Sequence, residues 1–107
     1  MGLMLAIDFD GVIHDKAHPL PGMRMGAPLP ETAETMERLY NGGAQLIIFT
    51  VMATSPAGHK AVADWLDYYH IRYHVITAIK PNADYFIDDK AIRHTDWAST
   101  LASLGLV

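Results

Sequence analysis

The sequence predicts an α/β fold: a single domain over residues 1–107, built on a mostly parallel sheet flanked by helices, with no cap domain. Three observations carry this expectation. Apolar strand-like runs alternate with amphipathic segments in the order strand, helix, strand, helix, strand, strand, helix, and that alternation builds layered sheets. The first run, "GLMLAIDF", is continuously apolar, as suits a central parallel strand buried on both faces. Polar residues recur where the runs stop, and parallel sheets bind ligands off those carboxyl ends. The arrangement is three-layered and Rossmann-like.

The elements follow in order. The first strand stops at Asp8, Asp10 and Gly11. Residues 12–29 hold Pro19, Pro21, Pro28 and the glycines Gly22 and Gly26, and read as a long irregular loop or flap. "PETAETMERLYNGG" is a helix with Pro30 in its first turn, Asn41-Gly42 at its end, and a buried stripe of Ala33, Met36, Leu39 and Tyr40. "AQLIIFT" is a β-branched strand ending at Thr50. "SPAGHKAVADWLDYYH" is a helix capped by Ser55, with Ala61, Val62, Trp65, Leu66 and Tyr69 as its stripe. "IRYHVIT" and "ADYFIDD" are further strands, the second ending at Asp88-Asp89. "TDWASTLASLGL" is a terminal helix capped by Thr95 or Asp96.

Composition narrows the function. Half of the 107 residues are hydrophobic, enough to build one core without staples. The net charge of -4 gives no field that would attract nucleic acid or an anionic membrane. There is no cysteine, which excludes disulfides, thiolate catalysis and zinc–thiolate sites. "LMLAI" is too short to span a bilayer and lacks the flanks of a signal peptide, so the expected location is the cytoplasm.

The chemistry lies at the strand ends. Strand alternation lets Asp8 and Asp10 point the same way while Phe9 enters the core. With Asp88 and Asp89, four carboxylates would meet at one edge and repel. A hard divalent cation resolves the conflict, and an all-oxygen donor set fits Mg²⁺. Thr50, Lys80 and backbone N–H groups around Gly11 can hold a phosphoryl group. Asp8 beside a metal can accept phosphoryl, and Asp10 can give and take a proton.

These motifs, "DFDG" at 8–11, "LIIFT" ending at Thr50, "KP" at 80–81 and "YFIDD" ending at 88–89, resemble those of the haloacid-dehalogenase-type phosphohydrolases, in that family's order. The resemblance implies Asp8 as nucleophile and Asp10 as acid/base. It also implies Thr50 and Lys80 as phosphoryl binders, and a Mg²⁺ site of Asp88 and Asp89 that also touches Asp8 and the Asp10 carbonyl. The expected activity is a Mg²⁺-dependent phosphomonoester hydrolase working through an aspartyl-phosphate. Its substrate would be a phosphorylated small molecule or macromolecular end. Neither gap between motifs has room for a cap, so the site should be open, or covered by a second subunit. Val51-Met52 stand where many relatives place a polar or basic substrate contact.

Other readings stand beside this one. The same motifs serve a phosphotransferase. A non-catalytic, phosphorylatable or phosphate-binding signalling module also combines aspartates, Mg²⁺, Thr and Lys, but its acidic pair ends the first strand. Lys90 rivals Lys80 as the phosphate lysine. Arg24, in the flap, is placed to reach a substrate phosphate or leaving group. His14 and His18 have the spacing of a helical metal pair, but the prolines at 19 and 21 argue against a helix there.

Overall fold

The structure, a computed structural model, describes residues 2–106; Met1 and Val107 lie outside the described residues. The α/β class, the parallel sheet and the three helices are as the sequence predicts. β1 (Met4–Asp8) forms on the unbroken apolar run, and Leu5, Ala6 and Ile7 are buried in succession. Burial on both faces requires an interior strand. β4 (Gln45–Phe49), β5 (Val75–Thr77) and β6 (Tyr85–Ile87) complete a sheet of order β5-β4-β1-β6, parallel throughout. Asp8 lies opposite Phe49, Phe49 opposite Thr77, and Ile7 opposite Ile87. The carboxyl ends of the four strands are therefore level.

α1 (Thr32–Asn41) follows the first crossover segment and α2 (Pro56–Tyr68) the second. The steps from β1 to β4 and from β4 to β5 run the same way across the sheet. Right-handed connections then place both helices on one face. The core agrees: Leu5, Ile7, Leu46, Ile48 and Ile76 cluster with Met36 of α1 and with Val62, Trp65 and Leu66 of α2. Enclosing side chains such as Phe9, Leu46, Ile48 and Leu66 stabilises the fold by about 1.5–3 kcal/mol each. The return from β5 to β6 runs the opposite way through residues 78–84, with no helix. Strand order thus reverses at β1, and the crevice between β1 and β6 is the switch point where such sheets take ligands.

Residues 12–29 differ from expectation. They are not an irregular loop: β2 (His14–Pro19) and β3 (Gly26–Pro28) form an antiparallel ribbon. Its root is tied inward, where Leu29 N–H donates to the Ile13 carbonyl at 2.9 Å and the Trp65 indole donates to the Gly26 carbonyl at 3.0 Å. A β-carbon at Gly26 would collide with the carbonyls of Asp15 and His18, so the approach requires glycine. Pro19 and Pro28 sit at strand ends, where a missing ladder donor costs little.

Element boundaries shift for local reasons. Pro30 lies outside α1, because Glu31 adopts a left-handed conformation (φ 66) before the helix begins. β5 starts at Val75 rather than Ile71, since Ile71 N–H donates to the Leu66 carbonyl and closes α2. The Ser55 cap accepts from Gly58 N–H at 3.0 Å with Pro56 behind it, as expected. α3 (Trp97–Ser103) is capped by Asp96, whose carboxylate accepts from Ser99 N–H at 2.9 Å. No described residue after Ile76 is buried. Among the described residues, no helix is long and apolar enough to cross a membrane.

Candidate functional site

Asp8 ends β1 on the sheet face opposite α1 and α2, since Ile7 faces the core. Its Oδ1 accepts from Phe9 N–H at 2.9 Å. Asp88 follows β6, and the Ile7–Ile87 pairing sets it level with Asp8 across the switch point. Asp88 accepts from Lys90 N–H at 2.7 Å, which folds the chain back after β6. Asp89 lies against Gly11, where a β-carbon would strike its carboxylate. Gly11 also has φ 87, so both the turn and the close approach demand glycine. One carboxylate oxygen from each of Asp8, Asp88 and Asp89 falls within 4.8 Å of the others, a group that can hold a metal ion.

The electrostatics match that geometry. Burial pushes the Asp8 carboxyl above its ordinary range, and the charge of Asp88 pushes it further. The Phe9 N–H opposes the shift, while Asp89 and Asp10 add smaller increases. Three crowded carboxylates favour a bound cation or a bound proton.

Asp10 does not join the triad. His14 Nδ1 donates to Asp10 Oδ1 at 2.7 Å, and Lys16 Nζ stands 4.0 Å from Oδ2. His14 is buried, stacked on Phe9 with ring centres 5.0 Å apart and edge-on to Trp65 at 5.3 Å. Its Nε2 accepts from Gly26 N–H at 2.8 Å. That bond leaves the ring proton on Nδ1, aimed at Asp10. The ribbon, the core and Asp10 are thereby joined through one imidazole. The sequence reading missed His14 because it weighed His14 only against His18, which instead lies 3.1 Å from Asp15. The usable signal was the four-residue step from Asp10 to His14.

The remaining expected residues divide. Thr50 is buried one residue beyond Phe49. Its N–H donates to the Thr77 carbonyl at 2.9 Å, and its Oγ1 accepts from Met52 N–H at 3.2 Å, capping a 3₁₀ turn over Val51–Thr54. Gly11 N–H donates to the His14 carbonyl at 2.9 Å, so that donor serves the turn rather than a phosphate. Lys80 stands over the Phe86 ring at 5.1 Å and lines a cleft with Asp8, Asp88 and Phe49. Lys90 lines the other side of the acidic cluster, in an open cleft of about 580 Å³ with Asp10, Asp89 and Lys16. Arg24 lines neither cleft. It is exposed in the turn of the ribbon, whose neighbouring Leu20, Met23 and Met25 line an apolar groove together with Trp65, Tyr68 and Tyr69. The root of the ribbon borders Asp10 through Asp15, Lys16 and Leu29.

No family model and no curated protein sequence matches the chain. A solved structure does: a conserved protein from Bacteroides thetaiotaomicron, 22% identical, superimposes with a TM-score of 0.69 over 100% of this chain and 94% of that one. That likeness establishes the fold, a parallel α/β sheet carrying an acidic cluster at its switch point in this chain.

Proposed function

We propose that this protein is a Mg²⁺-dependent phosphomonoester hydrolase of the haloacid-dehalogenase type, acting through an aspartyl-phosphate on Asp8. The observation that carries the reading is the meeting of Asp8, Asp88 and Asp89 at the switch point while Asp10 is held apart by His14. On this reading the metal site and the proton-transfer group are separate, although each takes one carboxylate from the motif that ends β1. The order of the four motifs supports the same reading.

The donor set fits Mg²⁺, because it consists of carboxylate oxygens, and burial first, then the charge of Asp88, pushes the Asp8 carboxyl up when no cation offsets them. Held by Asp8, Asp88 and Asp89, the ion would neutralise charge on the phosphoryl oxygens. Asp8 Oδ1 is engaged by Phe9 N–H, which leaves Oδ2 to attack phosphorus in line with the leaving oxygen. As the Asp8–phosphorus bond forms and the ester bond breaks, Asp10 donates its proton to the leaving oxygen. Water then attacks phosphorus, Asp10 takes its proton, and the Asp8–phosphorus bond breaks. His14 fixes the Asp10 carboxylate by one oxygen and leaves the other for this work. Lys80 and Lys90 supply positive charge from either side.

The test is turnover of a panel of phosphate esters with Mg²⁺, alongside hydroxylamine trapping of a phosphorylated enzyme. The expected result is hydrolysis and a hydroxylamine-labile phosphoenzyme, both lost in a folded Asp8→Asn variant. Hydrolysis that survives Asp8→Asn, or that ignores EDTA, overturns the reading.

A further inference from the structure

We propose that the sheet face opposite α1 and α2 is covered by a second copy of this chain, each copy contributing its α3 to the other. The inference starts from surface. The accessible area is 7423 Å² for 107 residues, against about 5,900 Å² for a compact monomer of that size. The radius of gyration is 15.2 Å, against about 13 Å expected. The excess area, roughly 1,500 Å², is more than the ~800 Å² that each partner gives to a standard interface.

Two exposed apolar surfaces contribute to it. One row of side chains crosses the whole sheet on the face without helices: Val75, Ile47, Ala6 and Phe86, matched strand to strand by register. Its centre is covered, but its ends are open, Val75 at 49% and Phe86 at 44%. All-parallel sheets have both faces covered, and topology explains why the ends of this row stay bare: the connection from β5 to β6 holds no helix. The same chain carries an unspent helix. Trp97, Leu101 and Leu104 fall one and two turns apart and make an apolar stripe on α3, yet all three are exposed, Trp97 at 72%.

The occupant is a second copy because the two unmet needs are complementary and belong to one chain. A two-fold axis satisfies both at once. Charge permits it: α3, "WASTLAS", has no charged residue, so it can rest on the partner's apolar row without burying a charge. The face is the one on which Asp8 ends, and Ala6 and Phe86 line the cleft with Asp8 and Asp88. Oligomeric state and tryptophan shielding, rather than turnover, test the dimer, so its failure and that of the proposed catalysis are distinguishable.

The test uses the full chain at 1–200 µM in sedimentation equilibrium, with acrylamide quenching of tryptophan. The two tryptophans separate cleanly, since Trp65 is 8% exposed and lies in the core. The expected result is twice the chain mass at the higher concentrations. Trp97 should be shielded there and become quenchable as the complex dissociates on dilution. Leu101→Asp should weaken dimerisation at least tenfold without changing the helical circular dichroism, and Leu104→Asp should do the same. A monomer at 200 µM with Trp97 shielded means that α3 packs on its own sheet, and the proposal fails. A monomer with Trp97 quenchable assigns the face to some other occupant, and the proposal fails again. A dimer that ignores both substitutions is assembled elsewhere and overturns it equally.

Discussion

Two parts of this molecule are built to different standards. Residues up to Ile76 contain every buried side chain of the described chain, and residues beyond it contain none. The first part holds α1, α2, the β2–β3 ribbon and three strands of the parallel sheet around Phe9, Leu46 and Leu66. The second holds a three-residue edge strand and an exposed helix. The candidate site straddles the seam: Asp8 is half-buried in the first part, and Asp88 and Asp89 are exposed in the second. A closed core fixes the position of Asp8 and raises its pKa, while the open part brings the other two carboxylates within reach. Chemistry at such a seam depends on both parts, but stability depends mainly on the first.

The largest effect that sharpens this contrast comes from neighbouring residues. Asp8→Asn should abolish phosphatase turnover with the fold intact, and Asp10→Asn should reduce kcat by about 10²–10⁴-fold, the usual size of an acid–base contribution. Phe9→Ala, between them, should instead cost about 3–5 kcal/mol of stability in urea melts, since it removes a fully enclosed ring that stacks on His14. The matching change across the seam, Phe86→Ala, should cost less than about 1 kcal/mol in dilute protein. Equal costs at the two phenylalanines would break the comparison.

His14→Phe is the next largest. It keeps the stack but strands the Gly26 N–H and releases Asp10, so about 2 kcal/mol of stability should go. Turnover should fall as well, in kcat rather than KM. Smaller again is the response to metal. Mg²⁺ should raise the melting temperature by binding only the native state, and Asp88→Asn should erase that rise by removing one of the three ligands.

The smallest effect is electrostatic. The Asp8 carboxyl is held above its ordinary value of 3.8 by burial first and by Asp88 next. The native state therefore binds this proton more readily than the unfolded chain does. Stability from this group is greatest below 3.8 and declines as pH rises through the shifted value. Without metal, Asp8→Asn should melt a few degrees above wild type at pH 7 and lose that advantage at acid pH. An advantage that persists at pH 3 would assign the gain to something other than charge.

Much of the fold was legible because its signals are local. The unbroken run at Leu5–Ile7, the Ser55-Pro56 cap, the stripe of α2 and the carboxylates at strand ends all declare themselves within a few residues. The ribbon at 14–28 was not legible. Its order comes from Trp65 of the core and from its own His14, which is buried against Phe9, while its composition reads as loop.

By itself, then, the sequence determined the α/β class, the order of elements and the four aspartates, since burial periodicity and strand-end chemistry are properties of short segments. Only the tertiary structure decided which aspartates share a site. Register across the β1–β6 pairing brings Asp88 level with Asp8, and Gly11 admits Asp89. One buried imidazole, fixed by a backbone N–H twelve residues away, draws Asp10 aside. Pairing register and buried hydrogen bonds join residues far apart in the chain, and no local pattern encodes them.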